Sequence, residues 1–583
     1  MPEIELTQRM YLNFNGSDAS EEVMDSVISI EVDDSLTLPD MFSIHLRDSN
    51  LRWIDADSFS LGSAVEVSAR DNGSEIKLIT GEVTGIEPRF DATSGPSIVL
   101  RGYDKSHRLN RGRKTTSFVQ MTDSDIANKI AQGAGLRAQV DTTRQVHEYV
   151  LQDNKTDWEF LVSRALRIGY TVYVRGDTLS FVETAAGDQT PTVEWAEDLI
   201  EFNARMSTMR QVSEVVVQGW DPENQQQIIG SATQARDVPQ IGQSDQGGES
   251  AEQVFGAVKE IIVNRPVATQ TEADALAQSI CSEIGQGFIE AECVCLGNPA
   301  VQAGVVVDMI GIGNRFSGSY RVTHARHVYN SQQGYKTEFS VGGRHTSTLS
   351  ELLLARSGAG SSPCPVLGVV TNNQDPQDQG RVRVRVPSIS DGQELAWARL
   401  VAPGAGADRG MQWIPEVGDE VLVLFEHEEI HRPLVVGGLW SGQNKGPSPS
   451  SECLGSQGEV NVRQLVSRTG MKVAMSDDAG DQWALLSNAD ESLCVKVSET
   501  DSKVEIVSIG DVEISTTGDV KITAQGNVSV EGMEVALKGN SKVSIQGAQV
   551  EIKADATLDI SGAMINSEAS ATHVIKGGLV QIN

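Results

Sequence analysis

The stretch Val512-Glu513-Ile514-Ser515-Thr516-Thr517-Gly518-Asp519-Val520-Lys521-Ile522-Thr523-Ala524-Gln525-Gly526-Asn527-Val528-Ser529-Val530 decides the fold of this chain. It belongs to a longer run of apolar-x-apolar triplets: Val504/Ile506, Val512/Ile514, Val520/Ile522, Val528/Val530, Val535/Leu537, Val543/Ile545, Val550/Ile552 and Leu558/Ile560. Successive triplets start seven or eight residues apart, and Gly510, Gly518, Gly526, Gly532, Gly539 and Gly547 fall between them. After Trp483 the chain contains no Phe, Tyr, Trp or Pro. A unit this short is one strand and one corner, and it cannot bury its apolar edge alone. A single-chain solenoid needs about 18 residues or more per coil to close three faces. Eight residues per unit instead suit three chains that wrap round each other, each supplying one face in turn. The reading is an intertwined triple-stranded β-helix, roughly 40 Å long at about 4.8 Å per strand, with all sixteen triplet residues in its core. A single-chain β-meander is the competing arrangement, and its unpaired edges would aggregate.

Working outward, the eighty residues before this region are strand-rich and compact. Val366 to Thr371, Arg381 to Val386, Leu395 to Val401, Glu420 to Phe425 and Leu434 to Leu439 read as five short strands. Gly, Pro and Asp turns separate them, which fits a small barrel of the OB type over 366–445. Flanking compositions are those of linkers: 357–365, from Ser357-Gly358-Ala359-Gly360, and 446–500, opening on Gly446-Pro447-Ser448-Pro449. The remaining repeat and tip occupy 501–583.

Residues 1–356 read as mixed α and β. Val27 to Val32 and Met41 to Leu46 alternate with the period of a half-buried strand. Asp71-Asn72-Gly73 is a turn between Val65-Glu66-Val67 and Ile76 to Ile79. Thr122 with Asp125, Thr156 with Glu159 and Thr269 with Glu272 have the spacing of capping boxes and predict three helices. Gly133, Gly135 and Gly169 supply stops. The stretch 230–256 is rich in Gln, Ser, Gly and Asp and predicts a long loop. The fold class is mainly β, with an α+β N-terminal part built on barrel-type sheets.

Composition narrows the function. The 583 residues carry 47 Lys and Arg against 80 Asp and Glu, a net charge of −33. That balance disfavours a nucleic-acid binder, whose affinity comes from basic side chains neutralising phosphates. Aromatics make up 5% of the chain, too few for stacking platforms. No run of about 18 apolar residues is present, and the start, Met1-Pro2-Glu3-Ile4, has no secretory signal pattern. Cytoplasmic synthesis and assembly into a particle that is released or membrane-anchored is the expectation. The six cysteines include no C-x-x-C pair, so reduced thiols are expected and no cofactor is implied.

In the barrel, Leu367-Gly368-Val369-Val370-Thr371-Asn372, Gly380-Arg381-Val382-Arg383-Val384-Arg385-Val386-Pro387, Pro415-Glu416-Val417-Gly418-Asp419 and Arg432-Pro433-Leu434-Val435-Val436-Gly437-Gly438-Leu439-Trp440 follow one another in an order that resembles the VgrG-type spikes of contractile injection machines. Ala396-Trp397-Ala398-Arg399, Arg101-Gly102-Tyr103-Asp104 and the final Ile575-Lys576-Gly577-Gly578-Leu579-Val580-Gln581-Ile582-Asn583 are similar to that family as well. The resemblance implies a hub over 1–356, the barrel, a neck and a needle. It implies a homotrimer that caps an Hcp-like inner tube, contacts baseplate proteins, carries cargo effectors and punctures a target envelope through transient membrane contact. Leu579, Val580, Ile582 and Asn583 would dock a PAAR-like tip protein.

Other chemistry is weaker. His427-Glu428-Glu429-Ile430-His431 matches the H-E-x-x-H of zinc proteases. Zinc needs both histidines on one helical face, but an apolar strand precedes the motif and Pro433 follows it. It is read as a chance match in a solvated acidic turn. Arg381, Arg383 and Arg385 are expected to form the polar face of one strand, pairing with acidic neighbours inside the trimer. Arg108, Arg111, Arg113 and Lys114 form a basic cluster that is either solvated or a dock for an acidic partner. His573 is a weak candidate for a tip ion. Two alternatives remain: a spike with cell-wall hydrolase activity, which would need a carboxylate-bearing cleft in 450–500, and a receptor-binding fibre or adhesin, which would need exposed aromatics on the needle, where the sequence has none.

Overall fold

A computed structural model describes residues 9–71, 74–183, 190–221, 224–242, 246–343, 365–389 and 392–582. The chain divides into two compact units, Met1–Pro449 and Ser450–Asn583. The division falls where the Pro/Ser-rich composition predicted a linker; the other expected linker, 357–365, lies almost wholly outside the described residues.

A fourteen-stranded sheet organises the first part of unit one. Strands Val27–Ser35 and Met41–Arg47 pair antiparallel, as their alternation predicts, with Ile30 opposite Ile44. Val27–Ser35 also pairs with the distant strand Gly318–Asn330, placing Val328 opposite Glu31. One apolar cluster centres on Ile30, Phe42, Val67 and Leu100, and a second on Ile289, Cys293, Tyr320 and Phe339. Two α/β modules flank this sheet. The first packs helices Asp123–Gly133 and Asp157–Ile168 on short strands through Ile126, Trp158, Leu161 and Phe181. The second lays helix Gln270–Gln286 on strands Glu214–Asp221, Gln226–Ala232 and Lys259–Ile262.

All three predicted helices form. Thr122 and Thr156 each accept from the backbone N–H three residues on, and Asp125 and Glu159 return the bond. Gly169 ends the second helix with φ 75°, a left-handed conformation that costs glycine little. At the third, Thr269 accepts from Glu272 N–H, but the Glu272 carboxylate reaches the Ala268 N–H instead.

The stretch 230–256 is more ordered than its composition suggests. Its described residues include the end of strand Gln226–Ala232, the short strand Gln240–Ile241 and helix Gly247–Phe255. Its glycines serve close packing. A Cβ on Gly230 would lie 2.2 Å from the backbone of Ala273, so the strand and the third helix meet only because the side chain is absent.

The barrel is closed. Its sheet runs Arg383–Arg385, Val366–Asn372, Glu420–Phe425, Pro433–Gly438, Arg399–Leu400. Reciprocal bonds between Val382 and Ala398, with Leu395 N–H donating to Val384, join the last strand to the first. Closure removes the free edges.

Unit two opens with a five-stranded antiparallel meander, Val462–Val466, Lys472–Asp478, Asp481–Ser487, Cys494–Ser498 and Lys503–Val507. Much of the segment expected as a linker or neck is therefore sheet. Val504 and Ile506, the first expected repeat triplet, lie on its last strand. Beyond it, backbone bends recur at 509–510, 517–518, 525–526, 533, 540–541, 548–549, 555–556, 563, 570–571 and 578–579. Among the described residues 508–582, no strand pairs with another part of the chain.

Candidate functional site: an unpartnered apolar surface in unit two

The meander places two cross-strand rows on one face. Leu465, Val473, Leu486, Val495 and Ile506 are successive partners, as are Arg463, Met475, Ala484, Val497 and Val504. The apolar members of both rows are about half exposed or more, while Ala474, Leu485, Ser487 and Ser498, on the other face, are buried. Cross-strand pairs hold a sheet together, yet so extended an apolar face marks a surface that is covered in use.

The repeat continues this surface: residues expected in the core of a three-chain needle are uncovered in the single chain. Val512, Ile514, Val520, Ile522, Val528, Val530, Val535, Leu537, Val543, Ile545, Val550, Ile552, Leu558 and Ile560 are all exposed, between 50 and 77%. Ile545 at 69% and Ile552 at 64% show the pattern: the second residue of a triplet stands further out than the first, Val543 at 54% and Val550 at 52%. The physical reason is that the described tail residues pair with no other strand of the chain, so no atoms of their own chain lie across from these side chains. In the single chain the row is an exposed surface. Bends fall between triplets, where the glycines predicted corners.

The seven-and-eight spacing also continues past Leu558, to Ile565, His573 and Val580, in step with the bends at 563, 570–571 and 578–579. His573 thus occupies a register position held elsewhere by Val, Leu or Ile. Val580 and Ile582 keep the triplet spacing, so these expected tip residues continue the repeat, and with Leu579 they are exposed; Asn583 lies outside the described residues. This extension was missed because Ile565 and His573 lack a full triplet.

Unit one holds the other singled-out residues. Asp375 accepts from the side chain of Arg381 at 2.7 Å and from three backbone N–H groups. These bonds, led by Arg381, hold its carboxyl well below the usual range. Arg383 reaches Glu394 at 3.4 Å, and both guanidiniums lie over the Trp397 ring. The arginine strand pairs with acidic neighbours inside its own chain.

The H-E-x-x-H segment is not helical. Residues Glu426–Glu428 form a 3₁₀ turn in which His427 has φ 49°, and His427 is exposed. His431 is turned inward: its Nδ1 accepts from the Leu151 N–H at 3.2 Å. Burial, with Arg164, Arg167 and Lys155 nearby, pushes its pKa down to about 3, so the ring is a neutral acceptor. The solvated-turn expectation holds for His427 and not for His431. Beside it, Arg167 bridges Glu272 at 2.7 Å and Glu429 at 3.1 Å. Tyr149 and Leu151 share a core with Val382, Val384 and Val423. The segment therefore joins barrel to hub. Among the described residues no cluster of three His, Cys, Asp or Glu is arranged to hold a metal ion.

The basic cluster is largely paired. Arg108 forks onto Glu82, Arg113 onto Glu159 at 2.9 Å, and Lys114 meets Asp157 at 2.5 Å. Arg111 is exposed and lines a groove of about 870 Å³ with Leu61, Tyr103, His107 and Arg108.

Residues 7–331 match the family described as the Alg8 N-terminal domain. Residues 366–440 match the type VI secretion system/phage-baseplate injector OB domain. Over 165 residues the chain is 26% identical to the type VI secretion system spike protein VgrG3 of Vibrio cholerae, covering 26% of this chain and 16% of that protein. The chain thus spans about a sixth of the length of this curated relative. Among solved structures, the PdpA–VgrG complex of Francisella aligns over 86% of this chain and 88% of its own, with 8% identity and a TM-score of 0.49. The E. coli c3393 protein, a component of the type VI secretion system, aligns over 73% and 99%, with 12% identity and a TM-score of 0.46. A prophage tail protein from Shewanella oneidensis aligns over 58% and 98%, with 17% identity and a TM-score of 0.45.

Proposed function

We propose that this chain, which belongs to the Alg8 N-terminal domain family matched over more than half its length and is similar to VgrG-type spike proteins, has a structural hub and spike role and works as a homotrimer whose three tails braid into one needle. The observation that carries this reading is the tail itself: a periodic row of exposed valines and isoleucines with no strand partner in its own chain. Three copies supply the missing faces, and burial of each such side chain contributes about 1.5–3 kcal/mol. The resulting rod has every backbone ladder satisfied by a neighbour and no free edge to splay.

In this reading the hub caps an Hcp-like inner tube among baseplate proteins, and the needle end carries a PAAR-like tip. Sheath contraction drives the needle through the target envelope. The work is mechanical and non-enzymatic: the H-E-x-x-H segment ties barrel to hub and is not shaped for catalysis. Assembly in the cytoplasm precedes release or membrane anchoring of the particle.

Light scattering on the purified chain tests the proposal. Three times 62.7 kDa gives an expected mass of about 188 kDa. A well-folded single chain of 62.7 kDa would refute it.

A further inference from the structure

The second α/β module of the hub carries its helix on one side of the sheet, and the other side is open around Trp220, Ile229 and Ile261, with Val216 buried between neighbouring side chains. Helix Gln270–Gln286 packs on one face of the three-stranded sheet through Val215, Val217 and Ile262. Strand register fixes the opposite face. Val216 stands beside Ile261, Gln218 is opposite Ile229, and Trp220 is opposite Gln227. Trp220, Ile229, Ile261 and the adjoining Val263 are all about half exposed. This face also forms one wall of a cleft of about 440 Å³, whose other wall is the barrel turn bearing Glu426, His427 and Arg432.

We propose that this face is a contact surface for a second copy of the same chain, between neighbouring hubs. The proposal rests on the trimeric reading above. Charge selects the occupant. Each chain carries −33, so copies approach only where carboxylates are compensated. The acidic groups of this surface are compensated: Glu214 is paired with Lys259 at 2.6 Å and Glu426 with Arg432 at 3.3 Å. The remaining polar members, Gln218, Gln227 and Ser231, are neutral. Braided tails would also hold the three hubs together at about millimolar effective concentration, where a modest apolar contact is populated.

Hydroxyl-radical footprinting of the full-length protein, read at Trp220 by mass spectrometry beside a light-scattering mass, tests this. The comparison is with the Ile261→Glu and Ile229→Lys variants, whose side chains already face solvent in the single chain and so leave its fold intact. The expected result is a trimer mass for all three proteins, with Trp220 labelled about fivefold more slowly in the wild type, because the core of an interface excludes water. A trimer in which Trp220 is labelled equally in wild type and variants overturns this surface and leaves the braided tail standing. A single-chain mass for the wild type overturns both.

Discussion

In the barrel, Val382, Val384 and Val421 are wholly shielded from solvent, whereas in the tail Val512, Val520 and Val528 are more than half exposed, although both regions alternate valine with polar residues. The difference lies in closure. The barrel's first and last strands meet through Val382 and Ala398, and its core extends into the hub through Tyr149 and Leu151. The tail turns a corner every seven or eight residues, so consecutive strands never lie side by side within one chain. Identical residue types are therefore buried in one region and exposed in the other. Local pattern sets which residues seek burial; corner spacing sets whether their own chain can provide it.

The largest effect is expected where the comparison is broken outright. Val535→Asp places a charge at one of the more shielded positions of the tail repeat, and in the proposed trimer an unpaired buried charge costs at least several kcal/mol. The mass should fall from the trimer value to that of one chain, while the hub and barrel keep their far-ultraviolet spectrum and their own melting transition. Retention of the trimer by this variant would mean that the tail positions are not a core.

The opposite manipulation targets the joint that one chain completes unaided. Arg167→Ala leaves Glu272 and Glu429 without their shared partner, and breaking a pair shielded to this degree costs about 3 kcal/mol. The first calorimetric transition should drop by several degrees with the trimer mass unchanged. Loss of the trimer instead would show that the two regions do not stabilise independently.

A pH titration sharpens the contrast, because the hub stores buried acids and the tail does not. Burial pushes Asp104 up to about 7 and raises Asp34 and, further still, Asp40, which also feels the charges of Asp34 and Asp104. Unfolded carboxyls titrate near about 3.9. The folded hub therefore holds protons that the unfolded chain releases above that value, and stability falls as pH rises from about 4 through about 7. Asp123 acts in the other direction: despite burial, His147 and Arg164 hold it near about 2, so its contribution is present above about pH 4 and is lost as pH falls below. The hub should melt highest near about pH 4, and Asp104→Asn should flatten the decline on the alkaline side. A hub transition that rises steadily from pH 5 to 8 would contradict the assignment.

The smallest effect is expected at His427. His427→Ala removes an exposed ring and should change stability by less than about 0.5 kcal/mol, and added zinc should shift neither transition. A zinc-dependent rise in melting temperature that this variant abolishes would restore the metal reading.

Much of this was legible in the chain because it depends on local physics. The Thr156–Glu159 box and Gly169 bracket a helix within thirteen residues, and the barrel strands alternate as plainly as their turns interrupt them. The meander was hidden because its Ser- and Gly-punctuated composition is that of a linker, and pairing of Leu465 with Val473 and onward to Ile506 appears only when the strands are laid side by side. His431 was hidden for a related reason: its partner, the Leu151 N–H, lies 280 residues away.

What the sequence determined by itself was the period of the tail, the helix ends, the barrel's strands and the need for burial along the valine rows, since each follows from side-chain alternation and backbone preference over a few residues. Only the tertiary structure decided that the hub sheet joins Val27–Ser35 to Gly318–Asn330, that His431 and Arg167 lock barrel to hub, and that one face of the neck and one face of the hub module stand uncovered. It also decided that Ile545 and Ile552 find no cover within their own chain. Those outcomes depend on contacts between distant segments, where the loss of chain entropy on closing a long loop is set against burial summed over the whole fold.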